Sequence, residues 1–194
     1  MKTLWIDTAS HFLYVALTDT VMRYSEQLHG NNNHSEHLLD TIKQGMSIVG
    51  WTPKEWDRIV VGIGPGSYTG LRVSLTVAKT LAWTLHIPLY VVSSLDFAMS
   101  GYGSKDGLYA VMMRAKKDYH FIKIIEVHQG QFKVIHDEEY LDDPTIHQLL
   151  QQAPNAIIIT EDEYSYEPLM LQASQLSEPQ DIFYLEPNYL RGEM

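Results

Sequence analysis

The sequence predicts an α/β protein of two subdomains, each a mixed sheet with flanking helices. Strand-like runs rich in β-branched and aromatic residues open both halves. A continuous apolar run, "RIVVGIG" (58–64), has the length and composition of a buried parallel strand. Helical periodicities separate such runs, which is the signature of αβ units.

The elements follow in chain order. "TLWID", "LYVALTD" and "VMRYSEQL" read as three hairpin-like strands, and "HGNNN" (29–33) as a loop. Leu38, Leu39, Ile42, Met46 and Val49 then recur at helical spacing, with Asn33 or Ser35 available as N-cap. "GWTPKEWD" breaks the pattern before the strand at 58–64. After a glycine turn, Leu71, Leu75, Ala78, Ala82 and Leu85 mark a second amphipathic helix. "IPLYVV" is a further buried strand, Ser93 or Ser94 can cap the next helix, and "SGYGSKDG" (100–107) is the linker candidate. The second half starts a similar programme: "LYAVMM", "YHFIKIIEV" and "FKVIHDEEYL" as strands, "PTIHQLLQQ" as a helix with proline in its first turn, "AIIIT" as a buried strand. The expected division is 1–100 and 101–194.

Composition narrows the class. The 194 residues suffice to bury a sizeable core, and 45% of them are hydrophobic. Cysteine is absent, which excludes disulfides and thiolate metal sites. Asp7 interrupts the apolar start, so it does not read as a signal peptide, and no run approaches a membrane span; the expectation is a cytoplasmic protein. The net charge of −10 divides into −1 for residues 1–100 and −9 for 101–194. A protein that grips RNA by itself shows a basic face. Here only Arg114, Lys116 and Lys117 offset the acidity of the second half locally, so strong RNA affinity is not expected of the chain alone.

"GIGPGSYTGLR" (62–72) stands where phosphate-binding turns stand, between strand and helix. The P-loop pattern fails because Leu71-Arg72 replaces the Lys-Ser/Thr it needs, and the dinucleotide pattern fails because Ser67 and Thr69 stand where glycine is required. The plain reading is a tight turn with Ser67 or Thr69 capping the helix. Arg72 in the first turn opposes the helix dipole, so either a carboxylate partner holds it, or its stem packs on the turn and its head is solvated. Asp7 ends a strand in a three-strand meander, a placement that resembles the phosphate-and-magnesium corner of actin-like and sugar-kinase architectures. The following "DTASHF" lacks the glycine that brings backbone N–H groups to phosphate. Asp7, Thr8 and Ser10 are therefore weak nucleotide candidates, and the alternative is local backbone satisfaction. His34 and His37 share a helix face at i, i+3, but no third ligand completes a metal site. Trp83, Met46 and Ile48 exceed what one buried stripe requires, so the two helices either meet a deeper core or face a partner.

Taken together, "LWIDTAS", "NHSEHLL", "DRIVVGIGPGSYTGLRVSLTVAKTLA" (57–82), "SSLDFA" and "YLR" (189–191) make the chain similar to the TsaB (YeaZ-like) family. The resemblance is dense over 1–98 and thin after that. It implies an actin/Hsp70/sugar-kinase-like fold and a non-catalytic subunit that binds a TsaD-like threonylcarbamoyltransferase. That enzyme acts on the adenosine beside the anticodon of tRNAs reading ANN codons, and a TsaE-like ATPase completes the assembly. No cofactor is implied, and tRNA is met only through the complex. The helices at 35–49 and 69–85 correspond to those that bundle with TsaD, or with a second copy in a homodimer. The expected interface residues are His34, Leu38, Ile42, Ser67, Thr69, Arg72, Leu75 and Lys79. "RAKKDYHF" departs from the family's usual "DAR(R/K)xxVY", with Arg114 at an aspartate position, and the chain ends soon after "YLR", implying a reduced second subdomain. The rival reading is a stand-alone ATP-using enzyme of the same superfamily; a metal-dependent peptidase is weaker, because no ligand set is complete.

Overall fold

The computed structural model describes residues 1–30, 34–171, 173–179 and 181–190, with backbone alone for His34 and Ser35. Two compact units emerge: Met1–Ser94 with Ala173–Asn188, and Leu95–Gln172 with Tyr189–Met194. The expected linker at 100–107 begins as a helical turn, Ser100–Tyr102, inside the second unit.

In the first unit β1 (Thr3–Asp7), β2 (Phe12–Thr18) and β3 (Met22–His29) form an antiparallel meander. After α1 (His34–Val49) the chain returns as β4 (Arg58–Gly62), parallel to β1. α2 (Tyr68–Leu85) then leads to β5 (Leu89–Val92), parallel to β4, giving the order β3-β2-β1-β4-β5. Strand alternation decides which face is covered. Leu4 and Ile6, Leu13, Val15 and Leu17, Ile59 and Val61, Leu89 and Val91 share one cluster with Leu38 and Ile42 of α1 and Leu75, Ala78 and Ala82 of α2. Both helices therefore lie on the same face of the sheet.

Ser67 resolves the capping alternatives for α2: its hydroxyl accepts from Gly70 N at 3.2 Å. His86 ends the helix in the left-handed conformation. Of the two N-caps expected for α1, Asn33 lies outside the described residues, and Ser35 falls inside the helix, which begins one residue earlier at His34. Ser177 makes an antiparallel bridge with Val91, donating and accepting at 3.0 and 2.8 Å, so the later segment of this unit extends the β5 edge.

The second unit repeats the scheme. β6 (Gly107–Lys116), β7 (Tyr119–His128) and β8 (Gln131–Asp142) form the meander, α4 (Asp143–Gln152) follows the short α3 (Ser94–Ala98) in numbering, and β9 (Ile157–Ile159) joins parallel to β6. The order is β8-β7-β6-β9. Asp142 caps α4 by accepting from Thr145 N at 3.0 Å. "AIIIT" is not a buried strand throughout: Ile159 is enclosed, but Ile157 and Ile158 are about half exposed. Among the described residues the strand is the sheet's edge, paired to β6 alone, and its composition could not reveal that. Lys123 of β7 is buried between Asp96 (2.7 Å) and Glu138 (3.3 Å). Burial pulls its pKa down, but the two carboxylates more than offset this and raise it. Asp96 comes from "SSLDFA", which thus anchors a buried ion network that sequence reading missed.

Candidate functional site: two closed turns and a helix-pair groove

The glycine turn closes on the turn after β1. Ser67 N donates to Ala9 O at 2.7 Å, and Thr8 Oγ1 donates to Gly70 O at 2.7 Å. A Cβ at Gly70 would overlap Thr8 O. Gly64 adopts φ 110°, a left-handed value that side-chain-bearing residues resist, and its N–H donates to Ser94 Oγ at 3.0 Å. Leu71 N donates to Ser67 O and Asn188 N to Ile63 O. The N–H groups at 64, 67, 70 and 71 are thus committed to the protein itself.

Asp7, Thr8 and Ser10 are all buried. Ser10 Oγ accepts from Phe12 N at 3.0 Å, and Asp7 Oδ1 accepts from Ala9 N at 2.7 Å. Asp7 Oδ2 completes no hydrogen bond among the described residues, and a Cβ at Gly62 would collide with it. Burial pushes the Asp7 carboxyl up to about 6, against smaller downward pulls from the Ala9 amide and the nearby Ser94 hydroxyl.

The sign of the resulting pH dependence is fixed. The folded state holds the proton more tightly than the unfolded chain, so this group costs stability as pH rises from about 4 to about 6, roughly 3 kcal/mol in all. Asp7→Asn keeps the Oδ1 acceptor and removes the charge. Its melting temperature should exceed that of wild type at pH 8, and the gap should close near pH 4. A gap that persists unchanged at pH 4 would show that the carboxyl is not neutralised by burial.

The helix pair carries the other feature. Leu38, Ile42 and Leu75, expected at the interface, are 0, 3 and 4% exposed and belong to the core. At 100° per residue, the i, i+4 row of Leu38 and Ile42 points to the sheet, and the neighbouring row looks outward. Leu39 (46% exposed) and Tyr68 (48%) accordingly line a groove of about 410 Å³ with Thr69, Arg72, Val73, Thr76 and Val77. Thr76 also borders a second depression of about 270 Å³, beside Trp83 (59% exposed), Thr80, Ile182 and Phe183. Met46 is half-buried against the core, whereas Ile48 is 62% exposed.

Ser67, Thr69 and Arg72 are exposed at the start of α2. Arg72 pairs with no carboxylate among the described residues: its guanidinium lies 5.0 Å from the Tyr68 ring centroid, and Nη1 donates to Tyr68 Oη. Lys79 is half-buried and donates to Phe183 O and Leu185 O at 2.9 and 3.1 Å, so its ammonium holds a crossing segment. The His34 side chain lies outside the described residues. Sequence reading missed Leu39 as a contact residue and Tyr68 altogether; Tyr68, an aromatic at the first position of a capped helix, was the available signal. Among the described residues no group of three His, Asp or Glu could hold a metal ion, and no helix is long and apolar enough to cross a membrane.

The paired meander-plus-parallel-strand sheets place the chain in the actin/Hsp70/sugar-kinase-like class of α/β folds. A solved structure described as "an uncharacterized protein with similarity to peptidase YEAZ from Pseudomonas aeruginosa" superposes with TM-score 0.78 over 98% of this chain and 99% of that one, at 20% identity. The family model for TsaD, tRNA N6-adenosine threonylcarbamoyltransferase, matches residues 29–155. The tRNA threonylcarbamoyladenosine biosynthesis protein TsaB of Bacillus subtilis (strain 168) is 35% identical over 67% of this chain and 57% of its own length. Its Escherichia coli (strain K12) counterpart is 27% identical over 78% of this chain and 67% of its own. The chain belongs to this family, on its TsaB (YeaZ-like) side, and its match spans less than two thirds of the B. subtilis relative.

Proposed function

We propose that this chain is a non-catalytic cytoplasmic subunit required for threonylcarbamoyl transfer to the adenosine beside the anticodon of tRNAs reading ANN codons. It binds a TsaD-like catalytic protein through the α1/α2 groove, with a TsaE-like ATPase completing the assembly, and pairs with a second copy when alone. The division of labour puts partner binding in residues 1–100. The observation that carries this reading is the groove: Leu39, Tyr68, Val73 and Val77 form an apolar surface between two helices whose inward faces are already satisfied by the sheet. The closed turns support it, because they set the entry of α2 while committing their own backbone donors. A second reading rests on Asp7 Oδ2: a nucleotide held at Asp7, Thr8 and Ser10 by an ATP-using enzyme. Titration with ATP and magnesium separates the two, since sub-micromolar binding with turnover by the isolated chain favours the enzyme.

The main test is co-purification with the organism's own TsaD-like protein, followed by mass spectrometry of tRNA nucleosides. Modification that requires this chain is the expected result; full modification without it would sink the proposal. Arg72→Ala gives a finer check. Folding should change by no more than about 0.5 kcal/mol, as at other exposed positions. Partner affinity should fall several-fold, because the variant also frees the Tyr68 ring from its cation. Unaltered affinity and modification would leave Arg72 with no role beyond its own turn.

A further inference from the structure

The second unit treats its described cations unequally. Lys123 is buried between two carboxylates, and Lys133 reaches Glu126 at 3.5 Å. Arg114, Lys116 and Lys117 stand exposed, and no carboxylate among the described residues forms an ion pair with them. They occupy one hairpin. Lys116 pairs with Tyr119 across the β6–β7 ladder, Arg114 with His120, and Asp118 turns the tip at φ 64°. The neighbouring acids Asp142 and Asp143 are engaged elsewhere, with Thr145 N and with His120 at 2.9 Å. Beside the cations, the half-buried Tyr119 and Tyr140 rings stack at 5.1 Å with their planes 13° apart. Lys116 Nζ lies 4.4 Å from the first ring centroid and 5.9 Å from the second.

Three like charges within four residues repel one another, and in a chain of net charge −10 potential partners are abundant. We infer that this hairpin is an RNA contact: the three cations meet phosphates while the stacked tyrosines offer an aromatic surface to an unpaired base. Tyr140 also packs on Phe121 across the β7–β8 ladder at 5.5 Å, which accounts for the buried part of the pair; an acidic protein surface would engage the cations but make no use of the part of the rings that stays exposed. Cationic groups beside aromatic platforms are how proteins hold single-stranded segments without reading sequence. The inference rests on the proposed role in tRNA modification, and the contact is auxiliary, because three phosphates bound by an acidic chain give weak, salt-sensitive affinity.

The test is a nuclear magnetic resonance titration of the full chain with unmodified tRNA at low salt, alongside tRNA affinity and its salt dependence for the chain assembled with its TsaD-like partner. Shifts should concentrate at 114–119 and at Tyr140. Combined Arg114→Glu, Lys116→Glu and Lys117→Glu should weaken tRNA binding at least tenfold and flatten the log–log salt slope by about 2. Tyr140→Leu, checked by melting, should weaken binding a few-fold and leave the slope unchanged. Unchanged tRNA affinity in the charge-reversed protein overturns the inference. So does a loss confined to partner-protein binding, which would assign the hairpin to an acidic protein surface. The free-chain titration needs no partner, so failed co-purification with persistent hairpin shifts would refute the subunit role and leave the RNA contact standing.

Discussion

Leu39→Asp should fold like wild type and lose both self-association and most of its affinity for a TsaD-like partner, whereas Leu38→Asp should fail to fold. The two residues are adjacent, equally apolar, and opposite in fate. Leu38 is fully enclosed against the sheet, so a carboxylate there is buried without a partner. That costs several kcal/mol, a large share of the 5–15 kcal/mol that holds a typical domain together. Leu39 is 46% exposed and lines the α1/α2 groove, where a charge is solvated in the free chain and desolvated only in a complex. A central anchor of this kind is worth about 2 kcal/mol or more, roughly a thirtyfold change in affinity. Size-exclusion with light scattering and partner titration read the outcome. A folded Leu39→Asp protein that dimerises and binds as before would place the interface outside this groove.

Gly70→Val should lower the melting temperature on the order of 10 °C, corresponding to about 3–4 kcal/mol. The reason is steric and local. The new Cβ would overlap the Thr8 carbonyl oxygen, a backbone atom that cannot rotate away. Relief requires the start of α2 to withdraw from the turn after β1, which breaks the Thr8–Gly70 and Ser67–Ala9 hydrogen bonds together. The same withdrawal shifts Tyr68, Thr69 and Arg72, so partner binding should weaken beyond what the loss of folded protein explains. Calorimetry and a binding assay on the folded fraction measure the two effects separately. A variant that melts like wild type would mean that the two turns are not held in contact in solution.

The architecture was legible because its determinants are local and periodic. The run at 58–64 has no polar face, which suits a strand covered on both sides, and it became the parallel β4 beside β1. The double meander was readable because alternation and turn chemistry act over a few residues, and both sheets show it. The family was readable because "GIGPGSYTGLR" combines glycines, a cap and a helix start in a fixed order. Each serves a separate steric or hydrogen-bonding need, so the string as a whole is restrictive.

Tertiary structure alone decided which apolar residues face a partner. Helical spacing marks a stripe, but Leu38 and Leu39 both fit it, and only the position of the sheet sends one inward and the other out. The same holds for "AIIIT", whose two exposed isoleucines follow from its place at a sheet edge. Lys79, expected among the interface residues, holds the carbonyls of Phe183 and Leu185, a pairing across more than one hundred positions that helical spacing could not show. Asp7 could be placed at a strand end from sequence, but its raised pKa depends on burial beside Gly62 and Ser94, which arrive from β4 and the start of α3. Short-range stereochemistry is written in neighbouring residues; burial and pairing are set by chain segments that meet only after folding.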